Sequence, residues 1–127
     1  MAAVSPKSAA IGVAAVRIVY GVALAAAPQR LGRRWLGAAA AATDPVQVGL
    51  RGLGARDAVI NAGALVSAVR GATVRPWLAA AIAGDVADLA ATLAGRRGLP
   101  DGSPQLAAAV IAGSIALTGA ALAAQDR

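Results

Sequence analysis

Six ionisable side chains lie in the middle of stretches that are otherwise apolar enough to span a membrane. These residues are Arg17, Arg51, Arg56, Asp57, Asp85 and Asp88. Three are cations and three are anions, so the set can neutralise itself. A charge at bilayer depth is costly and is retained where it faces another charge or a watery cavity, which is where membrane proteins bind or move charged groups. The sequence therefore predicts an intramembrane charge network.

Positions along the helices predict which of these groups meet, because a rise of about 1.5 Å per residue fixes depth once the helix centres are aligned. We expect these pairs: Arg56 with Asp85, Arg51 with Asp88, and Arg17 with Asp57 or Asp85. Tyr20 and Asn61 lie about one helical turn beyond the nearest charged residue of the same segment, so they could extend the polar face.

Two roles are open for this network. It could serve only to fix helix order and register, since the better-attested benefit of buried ion pairs is specificity rather than stability. Alternatively, one group could be available for a lipid headgroup, a translocating proton or a charged group of another membrane subunit. Arginine suits either role, because its planar guanidinium stays charged and can bind two oxygens at once.

The composition indicates a bilayer as the solvent of this chain. Of its 127 residues 58% are hydrophobic and 14% are charged, whereas a soluble domain carries about 25% charged residues. Cys and His are both absent, which removes thiolate ligands, disulfides and the commonest neutral-pH base. No nucleophile has an evident activating base, so we expect no enzyme: no catalytic residues, no metal and no cofactor.

Four apolar segments are each about long enough to cross a bilayer as a helix. They run over roughly 6–27, 45–69, 76–95 and 104–124. A proline marks each start, where it is well tolerated in helices, and Ser5, Asp44 and Ser103 are the predicted N-caps. We therefore predict one all-α domain over residues 1–127, an integral membrane four-helix bundle with both termini on the same side.

A short amphipathic segment between the first two predicted helices should lie at the membrane surface. Its interfacial anchors are Arg30, Arg33, Arg34 and Trp35, with Trp77 at the opposite interface. Cations on the connectors differ little between the two sides, which leaves the orientation open. The net charge of +6 indicates attraction to anionic lipids rather than nucleic acid, because no basic recognition helix or aromatic stacking surface is present.

Small residues form stripes on two of the predicted helices. The stripe on the fourth segment is Ala108, Ala112, Ala116 and Ala120. Because small side chains let helices approach closely, it could dock on another membrane protein or on a second copy of the chain. A shorter stripe of Gly49, Gly52 and Gly63 accompanies Arg56 on the second segment.

Three stretches of the sequence are similar to stretches of known proteins: RIVYG at 17–21, GLRGLGARDAVINAGAL at 49–65 and GDVADL at 84–89. Together they resemble small four-helix actinobacterial membrane proteins of unknown function, and the chain is more distantly similar to accessory subunits of lipid importers of the mammalian-cell-entry type. The resemblance implies a multi-pass protein of the bacterial inner (plasma) membrane. It favours an accessory, stabilising or regulatory subunit of a larger membrane complex. The alternatives are a homo-oligomeric path for protons or small ions, and a lipid-binding protein.

Overall fold

The computed structural model describes residues 3–127, and all regular structure in that range is helical. The α-helices are α1 (Pro6–Ala26), α2 (Pro28–Leu36), α3 (Ala38–Ala41), α4 (Asp44–Val69), α5 (Arg75–Ala94) and α6 (Ser103–Ala124). A 3₁₀ turn over Arg96–Gly98 lies between α5 and α6. The all-α prediction is confirmed, and the four long helices match the predicted segments to within one residue at each end.

Proline marks the first turn of each long helix, where the backbone N–H it lacks would have no helical partner. Ser5 caps α1, since its hydroxyl accepts a hydrogen bond from the backbone N–H of Ser8 at 3.1 Å. The other two predicted N-caps are wrong. Asp44 and Ser103 are instead the first residues of α4 and α6, and the proline that follows each is tolerated because the N–H at the second helical position also lacks a helical partner.

The long helices contact one another in the order α1, α4, α5, α6, with α6 returning to α1. Gln125 Nε2 donates to the backbone carbonyl of Pro6 at 3.0 Å, and Arg75 forms an ion pair with Asp126. The start of α1 and the end of α6 therefore lie together, at what we call the terminal end of the molecule. The opposite end, which holds α2 and α3, is the connector end.

Small residues form most of the contact between α1 and α4. Gly21 and Gly54 are so close that a Cβ added to Gly21 would come within 2.6 Å of the Gly54 carbonyl oxygen. Each glycine is followed four residues later by an alanine, Ala25 or Ala58, so both helices present the small-xxx-small pattern that permits close backbone approach. A cluster of buried residues continues this core: Ala10, Ala14, Ala64, Ala68, Val74, Leu78 and Ala121.

The predicted glycine stripe on α4 does not make the contact with α1. A Cβ added to Gly49 or Gly52 would meet nothing within 4 Å, so those two positions face outward. Gly63 does pack, because a Cβ there would lie 2.6 Å from Cδ2 of the Trp77 ring. The glycine that contacts α1 is Gly54, two positions beyond Gly52 and therefore on a different side of the helix.

Three helices are long and apolar enough to cross a membrane: α1, α5 and α6, with mean hydropathies of 2.0, 1.4 and 2.0. The fourth predicted span, α4, is not among them; Arg51, Arg56 and Asp57 all fall in its interior. Large apolar side chains are exposed on the long helices. They include Val16, Val19, Val22, Val59, Val66, Val86, Val110 and Leu117. This surface is compatible with a membrane protein.

Candidate functional site

Arg17 of α1 and Asp85 of α5 form a bidentate ion pair. Arg17 Nη1 donates to Asp85 Oδ2 and Arg17 Nη2 donates to Asp85 Oδ1, both at 2.8 Å. Both side chains are almost buried, with 11% and 8% of their surface exposed. Two parallel charge-assisted hydrogen bonds are among the strongest contacts that an arginine can make. Because α1 and α5 are diagonal in the ring of helices, the pair crosses the interior.

Helix α6 adds two hydroxyl groups to this pair. Arg17 Nη1 also donates to the hydroxyl of Ser114 and, at 3.3 Å, to that of Thr118. Thr118 is fully buried. The two hydroxyl residues were not among the predicted site residues, although their four-residue spacing on an otherwise apolar helix places them on one face. We call Arg17, Asp85, Ser114 and Thr118 the inner cluster.

A second group of charges lies between α4 and α5. Arg56 Nη2 donates to Asp57 Oδ1 at 3.0 Å and to Asp88 Oδ2 at 2.9 Å. The Arg56 side chain is 35% exposed, whereas Asp57 and Asp88 are 13% and 18% exposed. Its guanidinium lies against Gly84, where an added Cβ would be 3.2 Å from Nη2. Arg56, Asp57 and Asp88 form the outer cluster, in which two carboxylates share one cation.

Two of the predicted pairs are wrong. Asp85 binds Arg17 rather than Arg56, and Asp88 binds Arg56 rather than Arg51. Arg51 is exposed and donates at 2.7 Å to a backbone carbonyl of α1. Aligning helix centres gives depth but not rotation, and the step of three residues from Asp85 to Asp88 turns the side chain by about 60°. One carboxylate therefore faces α1 and α6 while the other faces α4.

The two residues predicted to extend the network do not bond its charged side chains. Asn61 is fully buried, and its Nδ2 donates to the backbone carbonyl of Asp57 at 2.8 Å. That bond sets the orientation of the amide. Within residues 3–127, Asn61 Oδ1 and Arg17 Nε are the buried side-chain polar atoms without a hydrogen-bond partner. Tyr20 is 47% exposed and lies on the surface.

The two tryptophans lie at opposite ends of the molecule. Trp35 Nε1 donates to Thr92 Oγ1 at 3.1 Å, and the hydroxyl of Ser103 donates to the Trp35 carbonyl. These bonds tie α2 to α5 and α6 at the connector end. Trp77 lies in the first turn of α5, at the terminal end. The three predicted cationic anchors, Arg30, Arg33 and Arg34, are all exposed on α2.

The predicted docking stripe lies on the outer face of α6. Ala112, Ala116 and Ala120 are exposed, while Ala108 is partly buried. Ser114 and Thr118 are each two residues from Ala116, about 200° around the helix. The helix therefore turns its hydroxyl groups inward to Arg17 and its small apolar residues outward.

Two surface clefts lie at the ends of the helices rather than at the inner or outer cluster. One, of about 310 Å³, is at the terminal end and is lined in part by Ser5, Lys7 and Gln125. The other, of about 360 Å³, is lined by Gln29, Arg30, Arg33 and Ala38 at the connector end. In the described range 3–127 no group of three His, Cys, Asp or Glu residues could hold a metal ion.

No protein-family model, curated protein or solved structure matches this chain. Four features of the molecule bear on its function: the inner cluster, the outer cluster, the exposed alanines of α6 and the arginines of α2.

Proposed function

We propose that this protein is a small multi-pass protein of the bacterial inner membrane in which the four long helices form a transmembrane bundle. Its role is that of an accessory, stabilising or regulatory subunit of a larger membrane complex, such as a lipid transporter. The observation that carries this proposal is the outer surface of α6. That surface presents exposed alanines at every fourth position, where another helix can approach closely.

Membrane insertion of α4 depends on its neighbours. Arg56 and Asp57 would be costly in lipid if α4 were alone, but they bond each other and Asp88 of α5. Arg51 lies about two turns from the start of α4, so its long side chain can reach toward the interface while its stem stays in apolar surroundings. The helix can therefore insert as part of the bundle rather than by itself.

The interior of the molecule favours an architectural role over catalysis or transport. Both carboxylates of the outer cluster and the carboxylate of the inner cluster are bonded to arginine. The two clefts are at the helix ends, and their lining residues belong to neither cluster. Charges that bond one another across three helices fix helix order and register, which is what a compact supporting subunit requires.

A pair of matched alanine substitutions tests the proposal. Ala116→Leu enlarges an exposed residue of the α6 stripe, and Ala83→Leu makes the same change on the exposed surface of α5. Each variant and the wild-type chain would be purified in mild detergent from the native host at native expression, and bound proteins measured by quantitative mass spectrometry. We expect larger membrane proteins in stoichiometric amounts with wild type and Ala83→Leu, and their loss with Ala116→Leu.

Circular dichroism provides the folding control for this experiment. Both variants should keep the wild-type helicity and unfolding temperature, because leucine at either position projects outward. Equal loss of partners in both variants would contradict docking through α6. Recovery of the wild-type chain without a stoichiometric membrane partner would contradict the accessory role itself.

A homo-oligomeric path for protons or small ions is the second candidate, and the outer cluster is what favours it. Two carboxylates share one guanidinium there, which leaves one negative charge in excess when all three groups are ionised. In proteoliposomes with a pH gradient, this candidate predicts proton flux that Asp88→Asn abolishes. Flux that is absent from the wild type, or unchanged by that substitution, rejects the ion path.

A further inference from the structure

Helix α2 has two chemically distinct faces. The inner face carries apolar residues that are partly buried: Leu31, Trp35 and Leu36. Gly32 on the same side packs against the side chain of Leu50. The outer face carries Arg30, Arg33 and Arg34, all exposed. Spacings of three and four residues place these arginines on one side of the helix, so α2 lies against the long helices with its cations turned outward.

Among residues 3–127 the arginines of α2 form no ion pair with a carboxylate. The ion pairs among residues 3–127 involve Arg17, Arg56 and Arg75, and none includes an arginine of α2. The connectors at this end carry five arginines, Arg30, Arg33, Arg34, Arg96 and Arg97, and one aspartate, Asp101, with Asp44 at the start of α4 beside them. The surface around α2 is therefore electropositive and not compensated from within.

Two of the three arginines line a cleft. Gln29, Arg30, Arg33 and Ala38 border a space of about 360 Å³ between α2 and the start of α3. Two guanidinium groups and one amide supply several N–H donors, and no carboxylate borders the space. Guanidinium groups match the oxygens of a phosphate group well, because their planar fork can donate two parallel hydrogen bonds. The chemistry of the lining predicts a phosphate as ligand.

The position of the cleft favours the phosphate of a lipid. It lies at the connector end of the long helices, on the outer face of the helix that carries Trp35, at the level where lipid headgroups meet membrane-spanning helices. A zwitterionic headgroup would bring an ammonium group to an electropositive surface, whereas an anionic headgroup brings only its phosphate charge. Cations near a membrane surface attract anionic lipids for the same reason.

We propose that the cleft formed by Gln29, Arg30, Arg33 and Ala38 binds the phosphate of an anionic glycerophospholipid headgroup. The proposal rests on the membrane insertion proposed above, and it adds a defined lipid site to it. Bound there, the lipid neutralises arginines that the protein leaves without a partner. It also holds α2 against the bilayer surface at the connector end.

The two tryptophans of the chain allow each end to be observed separately. Trp77→Phe leaves Trp35, on α2 itself, as the only tryptophan. The variant would be reconstituted into vesicles that mix phosphatidylglycerol and phosphatidylcholine, with bromine on the acyl chains of one lipid or the other. Bromine quenches tryptophan fluorescence on contact, so the two series give the association constant of phosphatidylglycerol relative to phosphatidylcholine at Trp35.

We expect phosphatidylglycerol to be preferred at Trp35. The double substitution Arg30→Gln with Arg33→Gln should lower that preference by about fivefold for each arginine, from the usual attraction of a cation near an anionic surface. The control, Arg96→Gln with Arg97→Gln, removes the same charge at the same end and should leave most of the preference. Trp35→Phe, with Trp77 as reporter, should show little preference at the terminal end.

The outcomes separate the lipid site from membrane insertion. Equal quenching by the two brominated lipids would overturn the site while leaving insertion standing. Absence of quenching by either lipid would overturn both. An equal loss of preference in the control pair would overturn the site in favour of diffuse charge. Loss of the preference on adding inorganic phosphate to the buffer would show that the cleft takes a free anion instead.

Discussion

The inner and outer clusters are built from the same residue types but differ in burial and in charge balance. In the inner cluster one arginine meets one carboxylate through two hydrogen bonds, and about a tenth of each side chain is exposed. In the outer cluster one arginine is divided between two carboxylates, and about a third of its side chain is exposed. The inner cluster is neutral as a unit, whereas the outer cluster carries an excess negative charge when ionised.

This difference assigns the two clusters different roles in the molecule. The inner cluster joins α1, α5 and α6, and its hydroxyl groups give Arg17 additional acceptors. A neutral and well-bonded unit of this kind specifies which helices meet and at what rotation. The outer cluster joins only α4 and α5, carries an excess negative charge when its groups are ionised, and is more exposed. If a charged group from outside enters this part of the protein, it enters at the outer cluster.

The largest loss of stability is expected from removing the carboxylate of the inner cluster. Asp85→Asn leaves Arg17 buried without a counter-ion, and loss of one member of a buried pair costs about 3–5 kcal/mol. We expect a large fall in the unfolding temperature, which circular dichroism in a single detergent would measure.

The matched control for that variant removes both charges. Arg17→Met with Asp85→Leu fills the space with apolar groups and leaves no buried ion, so most of the stability should return. If the double variant were as unstable as Asp85→Asn, the cost would come from packing rather than from charge. An Asp85→Asn variant with the unfolding temperature of the wild type would show that the pair does not hold α5 to α1.

The helices were predictable from the sequence, whereas the partners of the charges were not. Prolines and hydropathy mark local features, and they gave the bounds of α1, α4, α5 and α6 to within one residue. Which carboxylate meets which arginine depends on the rotation of each helix. Asp85 and Asp88 lie on the same side of α5 by spacing, yet about 60° of rotation is enough to send them to different arginines.

The same limit applies to the contact between α1 and α4. Helix α4 contains four glycines, at positions 49, 52, 54 and 63, and spacing alone did not select the one that touches α1. Gly54 does so, since a Cβ added to it would lie 2.4 Å from the Gly21 carbonyl oxygen and 2.7 Å from the Ala25 nitrogen. This closeness is a relation between two helices that neither helix encodes alone. Ser114 and Thr118 were overlooked for a similar reason, since their importance depends on the position of Arg17.

The outer cluster should tolerate loss of one carboxylate better than the inner cluster does. After Asp88→Asn, Arg56 keeps Asp57 as a partner, and partial exposure lets solvent screen what remains. We expect a loss of about 1 kcal/mol or less, measured under the conditions used for Asp85→Asn. Asp126→Asn, which breaks an ion pair on the exposed terminal end, is the control for an ordinary surface pair. A loss as large as that of Asp85→Asn would remove the distinction between the clusters.

The smallest effect is expected from the hydroxyl groups that surround Arg17. Thr118→Val keeps the shape of a fully buried side chain and removes one acceptor, whose oxygen is 3.3 Å from Arg17 Nη1. Because the bidentate pair with Asp85 and the bond to Ser114 remain, the loss should be about 0.5 kcal/mol, the lower end for a single hydrogen bond. Thr73→Val, at an exposed position between α4 and α5, is the control for the substitution itself. A loss near that of Asp85→Asn would mean that Arg17 depends on α6 as much as on α5, and the inner cluster would then be a three-helix unit without a dominant pair.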